Sequence, residues 1–264
     1  MKVGFIGCGN IGGALARAVL KNPQIKVYIS DYLAKKAAAF AKETGAVQCD
    51  NETIARECDF IFLAVKPANF PDTLSPLSEA FAENKDSVIV TIAAGLSLEK
   101  VGNMVGSAHP IIRIMPNTPV TLGKGMITWC KNALVSEDSC EKFKEIMQFA
   151  GSLDEIDERL IDAASAVAGC GPAFVYMFIE ALADGAVECG LPRAKAMTYA
   201  AETLIGASEM VLGTGKHPGQ LKDEVCSPGG STIEGVKALE DAKFRAAASS
   251  AVIAAYEKTK KLGQ

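Results

Sequence analysis

Six residues near the start of the chain, Gly7-Cys8-Gly9-Asn10-Ile11-Gly12, restrict its fold more than any other stretch. They follow the apolar run Lys2–Ile6 and lead into Gly13–Leu20, which reads as a helix, so the order is strand, glycine turn, helix. The glycines answer three steric demands: a tight turn at Gly7, close approach of a ligand to the backbone at Gly9, and close helix–strand packing at Gly12. The helix then presents its first N–H groups to an anion. A second β-rich run, Lys26–Ser30, ends in Asp31, about 20 residues beyond Gly12, where a carboxylate can accept a hydrogen bond from a ribose 2′-hydroxyl. A glycine triad alone is weak evidence. In this context it marks a dinucleotide-binding βαβ unit.

The alternation continues. Phe60–Val65, Val88–Ala93, Ile111–Met115 and Gly125–Cys130 are further strand runs bounded by Gly, Pro or Asn, and Leu153–Ile156 adds a closing strand. Helix formers occupy Gly12–Lys21, Leu33–Thr44 and Leu96–Val105, and Ser136–Phe149 opens on a capping Ser136 followed by Glu137 and Asp138. Near-continuous hydrophobicity suits strands covered on both faces, so residues 1–157 read as a Rossmann-type, doubly wound α/β sheet. After Asp157 the pattern is helical only, with stops at residues 190–192, 213–219 and 228–230. Residues 158–264 are therefore expected to form an all-helical dimerisation domain. Arg159–Val187 is apolar on more than one face, whereas a helix on a monomer's surface needs one apolar stripe, and a second subunit is expected to cover the other.

Composition narrows the partners. Lys+Arg 27 against Asp+Glu 31 leaves a net charge of -4 and no basic surface for nucleic acid. The eight cysteines are scattered with no Cys-x-x-Cys pair, which points to reduced thiols and no metal site. Met1-Lys2 passes straight into the first strand without a signal peptide, so a cytoplasmic location is expected. Ala163–Ile179 lacks charge and approaches the length of a membrane span, but Asp162 and Glu180 bound it and Gly169-Cys170-Gly171-Pro172 interrupts it. A buried helix pair is expected there, with no membrane.

In an open α/β sheet the ligand lies across the carboxyl ends of the strands. Ala64-Val65-Lys66-Pro67, Ala93-Ala94-Gly95 and Met115-Pro116-Asn117-Thr118-Pro119 follow three strands there. The candidate cofactor-binding residues are Gly7, Gly9, Asn10, Ile11, Gly12, Asp31, Ala64, Val65, Lys66, Pro67, Ala94, Gly95 and Asn117. The Asp31 carboxylate repels a 2′-phosphate, which favours NADH over NADPH, although Lys35 and Lys36 stand close enough in sequence to offset part of that repulsion. In the helical half, Pro228-Gly229-Gly230-Ser231-Thr232 places a glycine pair at a helix start, whose free N–H groups suit a substrate carboxylate. The residues alone leave open a helix capped by Ser231 or Thr232 with no ligand.

With these segments in place, the chain resembles the pyrroline-5-carboxylate reductases over nearly its whole length. The resemblance rests on Gly7-x-Gly9-x-x-Gly12, Ala64-Val65-Lys66-Pro67, Met115-Pro116-Asn117-Thr118-Pro119, Gly169-Cys170-Gly171-Pro172-Ala173 and, most specifically, Leu221-Lys222-Asp223-Glu224-Val225-Cys226-Ser227-Pro228-Gly229-Gly230-Ser231-Thr232. It implies an NADH- or NADPH-dependent oxidoreductase of proline biosynthesis, reducing 1-pyrroline-5-carboxylate to L-proline. It also implies a Rossmann domain followed by a helical domain that interlocks with a second subunit, as a homodimer or a larger ring of dimers. By the same resemblance the small imine carboxylate lies near Ser227, Gly229, Gly230, Ser231 and Thr232, with the Thr232 hydroxyl as the catalytic group beside the ring nitrogen. The family usually carries Ser-Gly-Ser-Gly-Pro-Ala where this chain has Ala168-Gly169-Cys170-Gly171-Pro172-Ala173, so two hydroxyls are missing here.

An iminium substrate arrives already polarised and needs a hydride, orientation and a proton on nitrogen, but no strong protein acid. A β-hydroxyacid dehydrogenase shares the two-domain plan but needs a general acid, usually a lysine on the first long helix of the second domain. No lysine occurs between Arg159 and Gly190, and Lys195 lies beyond the stop. Of the two histidines, His109 precedes a strand at the wrong end of the sheet and His217 is expected in a loop. A non-catalytic nucleotide sensor is the other alternative, and the intact Pro228–Thr232 segment argues against it.

Overall fold

Parallel strands cannot be joined by a tight turn, so each parallel pair needs a crossover. The computed structural model describes residues 1–106 and 108–262, and its first half is built from such crossovers. β1 (Lys2–Ile6) is followed by α1 (Asn10–Val19), β2 (Lys26–Ser30) by α2 (Ala34–Thr44), and β3 (Val47–Gln48) by α3 (Asn51–Glu57). β4 (Phe60–Leu63) leads through the short helices α4 (Phe70–Leu74) and α5 (Ser78–Glu83) to β5 (Val88–Thr91), and α6 (Leu98–Val105) leads to β6 (Ile111–Met115). Only the 3-10 turn Thr118–Leu122 separates β6 from β7 (Gly125–Lys131), too short for a crossover, and β7 is antiparallel. α7 (Glu137–Met147) then restores a parallel β8 (Gly151–Glu155).

The strand order is β3-β2-β1-β4-β5-β6-β7-β8, which reverses direction between β1 and β4 and opens a crevice at their carboxyl ends. Register puts the functional turns in one row. Ile6 lies opposite both Ser30 and Leu63, and Leu63 opposite Thr91, so Gly7, Asp31, Ala64 and Ile92 emerge side by side. On one face of the sheet Phe5 and Phe62 stack with ring centres 4.5 Å apart, and Trp129 meets Phe143 at 5.1 Å. On the other, Ile61, Leu63 and Ile89 pack with Phe70, Leu74, Phe81 and Val101.

The sequence pattern misses β3 and α3: a two-residue strand carries no period, and α3 is a two-turn helix. The residues after Pro67 also fold more than expected, because Pro67, Pro71 and Pro76 each sit in the first turn of a short helix rather than merely ending a strand. α8 (Ile161–Ala168) belongs with the sheet, since the buried Arg113 side chain on β6 donates to Asp162 at 2.6 Å and pairs with Glu158 at 3.4 Å. Contacts divide the chain between Cys170 and Gly171, with the residues from Ala255 onward grouped with the sheet, whereas the change of sequence pattern lies at Asp157.

The second unit, Gly171–Ala254, holds α9 (Gly171–Glu188), α10 (Arg193–Thr214), α11 (Pro218–Val225), α12 (Ser231–Asp241) and the first half of α13 (Phe244–Leu262). α9 and α10 close on the small residues Ala183, Ala196 and Ala200, and Phe178 meets Phe244 at 5.2 Å. The helix pair expected around Ala163–Ile179 is present, interrupted at Gly169-Cys170, but it is not buried within one chain. Met177 is 70% exposed, and Tyr176, Val175 and Leu182 are exposed with it. The other four helices of this unit leave these apolar side chains of α9 uncovered. By length and composition alone the stretch Glu158–Glu188 is long and apolar enough to cross a membrane.

Phe62 is fully buried in the stacked pair on the sheet. Phe62→Ala is expected to cost about 3–5 kcal/mol in denaturant unfolding, and Phe62→Leu markedly less; equal losses would place the cost outside the ring contact.

Candidate active site

The turn after β1 is shaped by where a side chain has no room. Gly7 has φ +104°, its N–H donates to Ser30 O at 2.9 Å, and a Cβ there would lie 2.7 Å from Ala64 O. Gly12 is crowded as well, because its Cβ would lie 2.5 Å from Gly7 O and 2.7 Å from Ala64 Cβ. Gly9 is the opposite case. It caps α1 in extended backbone, and a Cβ on it would meet nothing within 4 Å. The first turn of α1, Asn10, Ile11 and Gly12, has no intrahelical acceptors for its N–H groups and no acidic side chain beside them. Two crowded glycines and one open one form a cradle that fits a dinucleotide pyrophosphate.

Asp31 closes this turn from the neighbouring strand. Its Oδ2 accepts from Cys8 N–H at 2.9 Å and from the Cys8 thiol at 3.2 Å, its Oδ1 accepts from Leu33 N–H at 3.0 Å, and Lys36 Nζ stands 3.9 Å away. Burial by itself would raise the Asp31 pKa, but the hydrogen bonds from Cys8 and Leu33 and the Lys36 charge outweigh it and hold the carboxyl below its ordinary value. Burial, then the Asp31 contact, push the Cys8 thiol up to about 11, so it stays protonated and donates. Lys36 is thus partnered to Asp31 rather than a purely solvated helix residue.

Beside Gly7 and Asp31 opens a cavity of about 680 Å³ that also reaches Tyr32, Asn51 and Val65. Sequence reasoning misses its other walls. Tyr32 is 100% exposed at its mouth, and Asp50, Glu52 and Asp72 line it from α3 and α4. The cap that starts α3, with Asp50 Oδ1 accepting from Thr53 N–H at 2.7 Å, is the signal that could have revealed this wall.

Further along the sheet edge, Ala64 N–H still bonds Ile6 O at 2.9 Å before Val65 and the exposed Lys66 turn away and Pro67 starts a 3-10 turn. Ala94 and Gly95 follow β5, with Gly95 at φ +78°. Asn117 stands at the end of β6 as expected, but its side chain is turned inward: it is 8% exposed, donates to Ala168 O at 2.9 Å and accepts from Met126 N–H at 3.0 Å. Its amide holds the C-terminal end of α8, and its backbone carbonyl accepts from Val120 N–H at 3.2 Å in the turn that follows. The Arg113–Glu158–Asp162 cluster, which the sequence does not announce, anchors the other end of α8; Glu158 also accepts from Leu98 N–H at 2.7 Å.

In the helical unit, Gly229 has φ +68°, and Gly230 N–H donates to Ser227 O at 3.0 Å in the turn before α12. The cap of α12 is Gly230, with no side-chain cap bond, so the reading in which Ser231 or Thr232 caps the helix is not what the chain adopts. Ser227, Ser231 and Thr232 are exposed around that helix start. His217 does more than occupy a loop, since its Nδ1 accepts from Gly219 N–H at 3.0 Å and caps α11. His109 is buried at the amino end of β6, its ring nitrogens against Phe81 O and Gly106 O, away from the ligand edge. Among the described residues no cluster of His, Cys, Asp or Glu could hold a metal ion.

Comparison with known proteins agrees with this arrangement. Residues 158–262 match the family described as pyrroline-5-carboxylate reductase dimerisation, and residues 2–95 match that described as NADP oxidoreductase coenzyme F420-dependent. The pyrroline-5-carboxylate reductase of Escherichia coli (strain K12) is 41% identical over 100% of this chain and 98% of its own. The crystal structure of Plasmodium falciparum pyrroline carboxylate reductase with NADP bound gives a TM-score of 0.89 at 35% identity, covering 100% of this chain and 98% of that one. The 1-pyrroline-5-carboxylate reductase of Streptococcus pyogenes gives 0.91 at 31% identity, covering 99% and 98%. Similarity at this level across both units establishes that the chain belongs to the pyrroline-5-carboxylate reductase family.

Proposed function

We propose that this protein reduces 1-pyrroline-5-carboxylate to L-proline with NADH or NADPH as the reductant. The observation that carries the reading is that one chain holds two glycine-capped helix starts suited to anions, α1 behind Gly9 and α12 behind Gly230, in a family whose members are named for this reaction. The reduced nicotinamide supplies the hydride. The chain's own groups bind and orient: with the Gly230 N–H kept on Ser227 O to shape the turn, the N–H groups of Gly229 and Ser231 and the Ser227 hydroxyl hold the carboxylate, and the Thr232 hydroxyl aligns the ring nitrogen or relays its proton. Hydride addition to the imine carbon converts the iminium C=N to a C–N single bond, and the nitrogen keeps its proton. Ala168 and Cys170 leave the Gly169–Gly171 segment with backbone roles.

The exposed apolar faces of α9 and α10 and the dimerisation description support a homodimer in which a second copy covers α9, and larger rings of dimers would extend the same contacts. We read the apolar stretch Glu158–Glu188 as this interface rather than as a membrane span, and place the enzyme in the cytoplasm with no nucleic-acid partner. Asp31 is read as the acceptor for the ribose 2′-hydroxyl, which favours NADH.

Oxidation of NADH on adding pyrroline-5-carboxylate tests the activity, with keto acids giving none. Thr232→Ala is expected to lower kcat/KM for the imine by roughly 10- to 100-fold, the size of a lost hydrogen bond to a charged group, with cofactor affinity unchanged; unchanged turnover at low substrate removes Thr232 from the site. Wild type is expected to use NADH at least about 10-fold better than NADPH, and Asp31→Ser to narrow the ratio mainly by improving NADPH; a wild type that prefers NADPH overturns the role given to Asp31.

A further inference from the structure

We propose that Asp50, Glu52 and Asp72 act with Asp31 as a charge filter that disfavours a dinucleotide bearing a 2′-phosphate, beyond what the single contact at Asp31 achieves. The inference rests on the reading that the cavity beside Gly7 and Asp31 receives the adenosine end of the cofactor; the acidic residues are its wall, not a separate site.

Four carboxylates line that cavity, and no Lys, Arg or His is among its lining residues. Two cations stand beside these carboxylates: Lys36 lies 3.9 Å from Asp31 and offsets part of its charge, while Arg56 is shared between Glu52 and Glu83, a group that keeps a net negative charge. Asp72, in the first turn of α4, has no ion-pair partner among the described residues. Asp50 caps α3 and Glu52 lies in its first turn, so the helix end that would otherwise attract an anion is turned negative. A ribose hydroxyl carries no charge and is indifferent to this field. A phosphate of nearly two negative charges is not, and each carboxylate within roughly 8 Å is expected to weaken its binding about 2- to 5-fold at low ionic strength. Salt screens such a field over a Debye length of about 8 Å at physiological strength, whereas a direct contact survives screening better.

Binding of NADH and of NADPH to the full-length protein, followed by nucleotide fluorescence at low salt and at about 1 M salt, tests the filter. The variant is the triple substitution Asp50→Asn, Glu52→Gln, Asp72→Asn; asparagine keeps the α3 cap. The expected result is NADPH tightened about 10-fold or more at low salt, NADH changed by less than about 3-fold, and the NADPH gain lost at high salt. Unchanged NADPH affinity, an equal gain for both nucleotides, or a gain that persists in high salt would each overturn the filter. Failure of the wild type to bind either nucleotide would instead strike at the proposed cofactor site itself.

Discussion

The absence of any side chain at Gly12 governs the rest of the structure. A methyl group there would collide with Gly7 O and Ala64 Cβ, so only glycine lets α1 lie this close to the ends of β1 and β4. That approach fixes where the helix start points, and the register of β1 with β2 and β4 then sets Gly7, Asp31 and Ala64 in one row. The crevice at the strand reversal is a consequence of topology; the approach of the α1 start to it is a consequence of this one close contact.

Charge is placed with the same economy. Asp31 is partly buried, yet two backbone N–H groups and a thiol favour its ionised form, so one carboxylate clamps the glycine turn and adds negative charge to the crevice. Arg113 is nearly fully buried under the opposite half of the edge and is matched by Glu158 and Asp162 at the start of α8, while Asn117 holds the end of that helix. Removing one partner of such a buried group leaves an uncompensated charge, which makes these bonds a strict determinant of where α8 lies.

Much of this was legible in the sequence. The strands of the sheet other than β3, the helices α1, α2, α6 and α7 and the glycine turn could be read because hydrophobic period and glycine spacing are local signals. β3 and the prolyl turns after β4 could not, since they are too short to show a period. The inward turn of Asn117 was illegible for another reason: position at a strand end predicts that a residue borders the ligand, but not whether its side chain is spent on Ala168 O and Met126 N–H. Arg113 gives no local signal of its role, because its partners Glu158 and Asp162 lie far along the chain. The apolar excess of Arg159–Val187 is legible as more than one apolar face, and α9 leaves Tyr176 and Met177 exposed.

The proposed reaction is a direct hydride transfer from the reduced nicotinamide to the carbon of the imine. Turnover with NADH carrying deuterium at both nicotinamide C4 positions, followed by mass spectrometry and NMR of the product, reads out this transfer. The expected product is L-proline bearing a single deuterium at the former imine carbon. Unlabelled proline, or NADH consumed without proline formed, would contradict it.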